Sequence, residues 1–347
     1  MTKIPLRSVL ITLVIGFSGA TAAALAGVPA APLVGASIAV SIAALSRLPL
    51  GIPNLLRNFA FTIIGCSLGS GITKEALSQA VHWPISLFFL GLAVGTIILV
   101  GSWVLARFYA QTPETAVLST TPGVIAYVLA IAAGGVGDVR TIIVIQNLRL
   151  VLVTTLLPFI LTHLGFAPGH IEPQASGSLF GSLVVIALAF AMGIVAQRWP
   201  RPAAFLRVGV LVSGVGHYLG MVSGRPPVPL IFCGFTITGS MVGARFSSIP
   251  MADLRRLLAA SLICALITGL LAVGFAYPVS VMLDIPFGQV FVAFAPGGVE
   301  AMAAIALALG YDPAYVATHH LFRLLLLFLI VPFCIRIVAR TVREHES

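Results

Sequence analysis

Two segments of this chain decide its fold: QTPETAVLSTTPGVIAYVLAIAAGG at residues 111–135 and IPFGQVFVAFAPGGVEAMAAIALAL at residues 285–309. Both are apolar, and each is interrupted near its middle, by Pro122-Gly123 in the first and Pro296-Gly297-Gly298 in the second. Proline removes a backbone donor and glycine weakens a helix. Each segment is therefore predicted to break at this point into two short helices.

The two segments belong to a duplication that runs through most of the 347 residues. A shift of 174 residues places Asp138 on Asp312 and Arg149 on Arg323. From residue 121 to 159 the two copies share 11 of 39 positions without a gap. Chance similarity between apolar helices does not easily match glycine, proline, aspartate and arginine at one offset. Internal repeats of this size are typical of secondary transporters.

The composition is that of a membrane protein, with 59% hydrophobic and only 8% charged residues. A soluble domain carries about 25% charged residues, which excludes soluble enzymes, disordered chains and secreted disulfide scaffolds. Apolar runs near 20 residues recur, and each could cross a bilayer core of about 30 Å. The alternating pattern of membrane β-barrels is absent from the sequence. The predicted fold class is an all-α polytopic membrane protein.

Each half contains five apolar segments that we expect to cross the membrane. They lie at 8–27, 30–46, 55–73, 84–107 and 141–164, and at 178–197, 203–220, 228–246, 257–277 and 314–336. Residues 1–165 and 178–347 are thus predicted as two transmembrane repeats, joined by a linker at 166–177.

The 19 basic residues decide between a re-entrant hairpin and a broken crossing helix for the interrupted segments. With hairpins and a cytoplasmic N-terminus, 15 of the 19 basic residues lie on the cytoplasmic side, two lie outside and two lie within the membrane. Crossing segments would instead place nine inside and eight outside, against the usual excess of positive charge on the cytoplasmic side. Hairpins are therefore favoured, and five crossings per half make the repeats inverted. We expect a multi-pass protein of a bacterial plasma (inner) membrane with both termini cytoplasmic.

Non-helical backbone at membrane depth is tolerated only inside protein or beside a water-filled cavity. We therefore expect both tips to line a cavity near the middle of the membrane, where the N-terminus of each following helix favours an anion. An ordinary proline kink is the alternative. The predicted substrate-binding residues of the tips are Thr121, Pro122, Gly123, Pro296, Gly297 and Gly298.

One arginine lies well inside the last crossing of each half, Arg149 in the first and Arg323 in the second. A buried arginine is costly in lipid, so it needs a partner or water. Its planar guanidinium suits a carboxylate or phosphate. Both arginines are predicted to bind a small organic or inorganic anion. The alternatives are snorkelling and a structural bond to the carbonyl groups of the hairpins.

Three titratable side chains of the second half, Glu300, His319 and His320, have no titratable counterpart 174 residues earlier. The two histidines precede Arg323 by four and three residues, so either could share its helical face. Each of the three is a predicted candidate for proton coupling. For Glu300 the alternative is a helix cap paired with an arginine.

These features resemble the AbrB family of membrane proteins. The resemblance covers nearly the whole chain and rests on the two tips, on Asn-Leu-Arg-Leu at 147–150 and on Leu-Phe-Arg-Leu at 321–324. Members carry labels such as ammonia monooxygenase or regulator of gene expression, and the family is similar to the cation/proton antiporter and anion transporter group. That kinship implies an alternating-access transporter with discontinuous helices. The first tip departs from the pattern because it lacks the acidic residue of the second.

A secondary transporter of a small anion is the predicted function. A membrane regulator that affects gene expression indirectly is the alternative. A monooxygenase-type enzyme is disfavoured because the seven histidines are dispersed except for one adjacent pair, whose side chains point about 100° apart on a helix. No catalytic residue, metal site, cofactor or nucleic-acid partner is predicted. The expected partners are the substrate and the lipid bilayer, with a homodimer left open.

Overall fold

The computed structural model of the protein describes residues 4–71, 83–123, 125–166, 177–198 and 204–346. Most of the predicted linker, residues 167–176, lies outside these ranges. The described residues form fourteen α-helices and a short 3-10 helix at Arg245–Ser248, and they contain no β-strand. The prediction of an all-helical fold is confirmed.

Helices of the first repeat are α1 Leu6–Leu25, α2 Ala31–Leu45, α3 Asn54–Gly69, α4 Trp83–Phe108, α5 Pro113–Thr120, α6 Ile125–Ala133 and α7 Val139–His163. Those of the second repeat are α8 Leu179–Ala196, α9 Ala204–Tyr218, α10 Val228–Ala244, α11 Met251–Leu283, α12 Phe287–Phe294, α13 Val299–Ala308 and α14 Pro313–Glu346. Both repeats show five longer helices with a broken pair between the fourth and the fifth, as the sequence predicts.

Seven of the ten predicted crossings are long and apolar enough to span a membrane among the described residues. The other three, α2, α3 and α9, have only 15 or 16 residues, or about 22–24 Å of helix. Of these three helices, α3 is buried from residue 60 to residue 69 and packs against α8, α9, α10 and α13. In contrast, α11 and α14 run to 33 and 34 residues, well past their predicted ends.

The chain divides into two compact units. Unit 1 contains Met1–Val81, Thr154–Ser247 and Val299–Ala317, and unit 2 contains His82–Val153, Ser248–Gly298 and Thr318–Ser347. Each unit takes helices from both halves of the sequence. The segments 1–165 and 178–347 are therefore units of duplication and not units of packing.

In unit 1, the third helix of each repeat packs against the second helix of the other, α3 against α9 and α10 against α2. Glycines permit both contacts: a β-carbon at Gly65 would collide with the carbonyl oxygen of Leu206, and one at Gly239 with that of Leu33. Small residues allow this close approach of helix backbones in membrane proteins. Gly65 and Gly239 are 174 residues apart, so the two contacts are equivalent and reciprocal.

In unit 2, the first interrupted segment forms a hairpin. The backbone N–H of Asp138 donates to Oγ1 of Thr115 at 2.9 Å. Thr115 lies in the first turn of α5 and Asp138 follows α6, so the chain returns to its starting point. The arms have eight and nine residues, or about 12–14 Å of helix, roughly half of a bilayer core.

Candidate functional site: the two hairpin tips of unit 2

The first tip is organised around the donor that Pro122 lacks. In a continuous helix the N–H of residue 122 would bond to the carbonyl oxygen of Leu118, but proline has no N–H. The side chain of Gln146, on α7, donates to this oxygen instead, with Nε2 at 2.7 Å. The amide therefore replaces the missing backbone bond where α5 ends.

Arg149 lies one turn after Gln146 and binds the remaining carbonyl groups of the same helix end. Its Nη1 donates to the oxygens of Ser119 and Thr120 at 3.2 and 2.8 Å, and its Nη2 to that of Thr121 at 2.9 Å. The last carbonyl groups of a helix have no partner within the helix. A cation is also favoured at this end by the helix dipole.

The second tip repeats this arrangement at equivalent positions. Pro296 cannot donate to the carbonyl oxygen of Val292, and Nε2 of His320 lies 3.0 Å from that oxygen. Arg323 donates from Nη1 to the oxygen of Ala295 at 2.8 Å and from Nη2 to that of Gly297 at 2.7 Å. Both arginines therefore tie a broken helix to the last crossing of their repeat, which is the structural role left open by the sequence.

The two tips touch each other at Gly123. Its φ is +84°, and a β-carbon there would lie 2.8 Å from Nη2 of Arg323 and 3.2 Å from the carbonyl oxygen of Gly297. Glycine is required at this position for two reasons: its backbone is left-handed, and the neighbouring atoms leave no room for a β-carbon. The predicted residues Thr121 and Pro122 are buried at this contact, as are Pro296 and Gly297, and Gly298 is partly buried.

The two arginines form a buried pair of like charges. Arg149 is 2% exposed and Arg323 is fully buried, and the charge of Arg149 acts on Arg323. Among the described residues, neither guanidinium has a carboxylate within salt-bridge distance. Nε of both arginines is buried without a hydrogen-bond partner, as is the hydroxyl of Ser119. The tips therefore present positive charge and unused donors.

His320 is held as a neutral imidazole. Its Nδ1 lies 2.6 Å from Nη2 of Arg323, and a guanidinium can only donate, so Nδ1 accepts. Nε2 must then carry the proton that is donated to the oxygen of Val292. His319 points elsewhere, with Nε2 2.6 Å from the hydroxyl of Ser86 on α4. Of the two histidines, His320 is the one that binds Arg323.

Glu300 belongs to the other unit. It lies in the first turn of α13 and is half-buried. Within unit 1 its negative charge attracts the guanidinium of Arg245, which the positive charge of Arg57 repels. This surrounding corresponds to the alternative in which Glu300 is paired with an arginine at a helix end.

Two aspartates at equivalent positions begin the last helix of each repeat. The Thr141 hydroxyl donates to Asp138 and, with two backbone N–H groups, lowers the pKa of that carboxyl. Burial raises the pKa of Asp312, although its carboxylate accepts from the N–H groups of Ala314 and Tyr315. Both are helix-capping residues.

Sequence reasoning missed Gln146 and the thiol of Cys264, whose Sγ lies 4.0 Å from Nη1 of Arg149. A signal for Gln146 was present, because it precedes Arg149 by the same three residues that separate His320 from Arg323. Nothing in the sequence marks Cys264. Among the residues that the structure describes, no three His, Cys, Asp or Glu side chains converge as metal ligands would.

Comparison with known proteins agrees with the resemblance seen in the motifs. The profile of the family described as "Transition state regulatory protein AbrB" matches residues 32–339. A protein of Escherichia coli (strain K12), "Putative regulator AbrB", is 27% identical over 322 residues, which is 90% of each chain. "Uncharacterized protein YhjN" of Bacillus subtilis (strain 168) is 23% identical over 296 residues, 78% of this chain and 75% of the relative. The matched region contains both interrupted segments and both buried arginines, and the chain belongs to the AbrB family.

Proposed function

We propose that the protein is a secondary transporter of a small organic or inorganic anion, which binds at the paired tips and moves by alternating access. The observation that carries this proposal is the buried pair Arg149 and Arg323, which has no carboxylate partner among the described residues. An isolated buried charge is strongly unfavourable, so such a pair calls for negative charge.

The carbonyl groups of the tips offset only part of this charge. Each helix C-terminus carries about half a negative charge, so α5 and α12 together balance about one of the two positive charges. The N-terminus of α6 returns about half a positive charge to the first tip. A small anion would supply the missing compensation.

The buried donors without a hydrogen-bond partner indicate which kind of anion would bind. A buried polar group without a partner costs about 1–3 kcal/mol, and Nε of Arg149, Nε of Arg323 and the Ser119 hydroxyl are three such groups. An anion with two or more acceptor oxygens could satisfy more than one of them. A planar carboxylate or an oxyanion suits a guanidinium best.

Transport, and not fixed binding, is favoured by the duplicated broken helices. Such helices at the membrane midplane, in inverted repeats, form the substrate sites of many secondary transporters. Alternating access also requires separate bodies, and the chain divides into two compact units. The proposal places the protein in the plasma (inner) membrane of a bacterium with both termini cytoplasmic, and it includes no chemical step or nucleic-acid partner. A homodimer is compatible with it.

The test is uptake of nitrate, sulfate and acetate into proteoliposomes, together with binding in detergent. Ser119→Ala removes an unused hydroxyl at the tips, and we expect its anion affinity to fall at least threefold. Ser67→Ala is the matched control, because its hydroxyl is also buried and unpartnered but lies in unit 1. Arg149→Lys and Arg323→Lys keep the charge without the planar fork and should lose at least tenfold. Unchanged affinity in all three tip variants, or a preference for cations, would refute the proposal.

A regulatory role is the second candidate, because the Escherichia coli relative is named a regulator. Transport of a metabolite that acts on gene expression would produce such an effect indirectly. The Arg323→Lys variant separates the two roles. If regulation persists in cells while uptake by this variant is lost, the regulatory role is independent of transport.

A further inference from the structure

The two tips differ in the side chain that donates to the carbonyl oxygen for which proline provides no N–H group. Gln146 bonds to the oxygen of Leu118 in the first tip, and His320 bonds to that of Val292 in the second. Glutamine does not titrate, whereas histidine gains a proton near neutral pH when it is free. Only the second tip therefore combines a structural donor with a proton acceptor.

Arg323 already occupies that proton acceptor. Nδ1 of His320 accepts from Nη2 of Arg323 at 2.6 Å. A proton on Nδ1 would place two donors against each other and remove this bond. His320 can therefore be protonated only when Arg323 finds another acceptor.

We propose that His320 takes up one proton when an anion binds Arg323, so that anion and proton are carried together. This inference rests on the proposed anion site. The anion accepts from Nη2 of Arg323 in place of Nδ1. The freed lone pair of Nδ1 takes a proton from a hydronium ion in the solvent, which leaves as water, and the ring becomes an imidazolium while Nε2–H keeps its bond to Val292. The N–H bond at Nδ1 is the one covalent bond formed, and the O–H bond of the hydronium ion is the one broken.

The surrounding charges couple proton uptake by His320 to anion binding at Arg323. The charged and titratable groups whose field reaches His320, among the described residues, are Arg323 and His319 on its own helix. From the neighbouring α12 it faces the carbonyl of Val292, and Arg149 of α7 acts on Arg323. All are positive or neutral, so they oppose a further proton on His320, and a bound anion would remove part of that opposition. By reciprocity, the proton must strengthen anion binding by the same factor.

The other two coupling candidates lack this link. His319 bonds to the neutral hydroxyl of Ser86. Glu300 lies in unit 1, where its charge acts on Arg245. Neither of these two interactions involves Arg149 or Arg323, to which the anion is proposed to bind.

The experiment measures protons taken up when nitrate or sulfate is added to the full-length protein in weakly buffered detergent at about pH 7. Native protein should take up about one proton per bound anion, and its Kd should rise up to about tenfold per pH unit above the titration of the site. His320→Gln copies the solution found at Gln146, and any anion that it binds should be bound without proton uptake and with a Kd that does not depend on pH. His319→Gln, the matched control, should take up the proton as the native protein does.

Proton uptake by His320→Gln, or anion binding without uptake by the native protein, would overturn the coupling and leave the anion site standing. If neither anion binds the native protein, both proposals fall. Nitrogen NMR of the histidine-labelled native protein tests the proposal without any variant. It should show His320 as a neutral Nε2–H tautomer in the empty site and as an imidazolium after nitrate is added. An imidazole that stays neutral at saturating nitrate would contradict the proposal.

Discussion

The two tips satisfy the same backbone requirement with different chemistry. Both prolines remove a donor from the end of a half-helix, and in both cases a side chain three residues before an arginine restores it. The first tip uses the inert amide of Gln146 and the second the imidazole of His320. The fold therefore requires a side-chain donor at this carbonyl oxygen in both tips, and only the donor of the second tip, His320, is titratable.

The arginines differ in how firmly they are held. Arg149 places its carbonyl contacts on three consecutive residues of one helix end. Arg323 divides its contacts between Ala295, Gly297 beyond the break, and His320. A guanidinium bound to one helix end acts as a fixed clamp. A guanidinium that also donates to a neutral side chain can give up that hydrogen bond and donate to a ligand instead.

The largest expected effect comes from removing the planar fork of each arginine. Arg149→Lys and Arg323→Lys should each lose at least one bond from a charged donor, and we expect each to reduce the free energy of unfolding by about 2–4 kcal/mol. The measurement is thermal unfolding of the purified variants in detergent. A Tm close to the native value for either variant would show that its arginine is not a clamp, and unequal losses would measure how far the two tips differ.

A smaller loss is expected from Gly123→Ala, which tests the contact between the tips. Gly135→Ala is the matched control, because Gly135 has a φ of +89° but no atom within 4 Å of the added β-carbon. In both variants the new alanine must adopt a left-handed backbone conformation, which costs about 1 kcal/mol or more. Only Gly123→Ala also displaces Arg323, so we expect its loss of unfolding free energy to exceed that of the control by about 1 kcal/mol. Equal losses would mean that the tips move apart easily.

The smallest effect concerns the equivalent caps Asp138 and Asp312. The pKa of Asp138 is lowered in the fold, so its carboxylate stabilises the protein above the unfolded pKa of about 4, and this contribution disappears as the pH falls through the folded pKa. The pKa of Asp312 is raised, so its contribution declines as the pH rises from about 4 through the folded pKa.

At neutral pH, Asp138→Asn should therefore lower the unfolding free energy by no more than about 0.5 kcal/mol, because Asp138 is exposed and water screens its charge. Asp312→Asn keeps an acceptor for the two backbone N–H groups and should leave stability unchanged or slightly higher. Thermal unfolding of both variants between about pH 4 and 7 checks the signs. A loss for Asp312→Asn as large as that for Asp138→Asn would refute the distinction between the caps.

Much of the site could be predicted from residues that are unusual in their surroundings. A proline inside an apolar segment has only a few structural consequences, and its recurrence at one offset identified both tips. Arg149 and Arg323 stood out because a guanidinium is costly in a membrane. Glu300 stood out on the same grounds, yet the structure places it in the other unit. The cost of a charge shows that it needs a partner, but it does not identify the partner.

The sequence by itself determined the helical membrane fold, the duplication, the positions of the breaks and the two buried cations. These follow from local rules on apolar length, proline, glycine and charge. Only the tertiary structure decided that each packed unit draws on both repeats, that the arginines bind carbonyl groups, and that Gly123 brings the two tips together. The physical reason is that these are contacts between residues far apart in sequence. A helix end shows that it has unpaired carbonyl groups, whereas the side chain that reaches them depends on how distant helices pack.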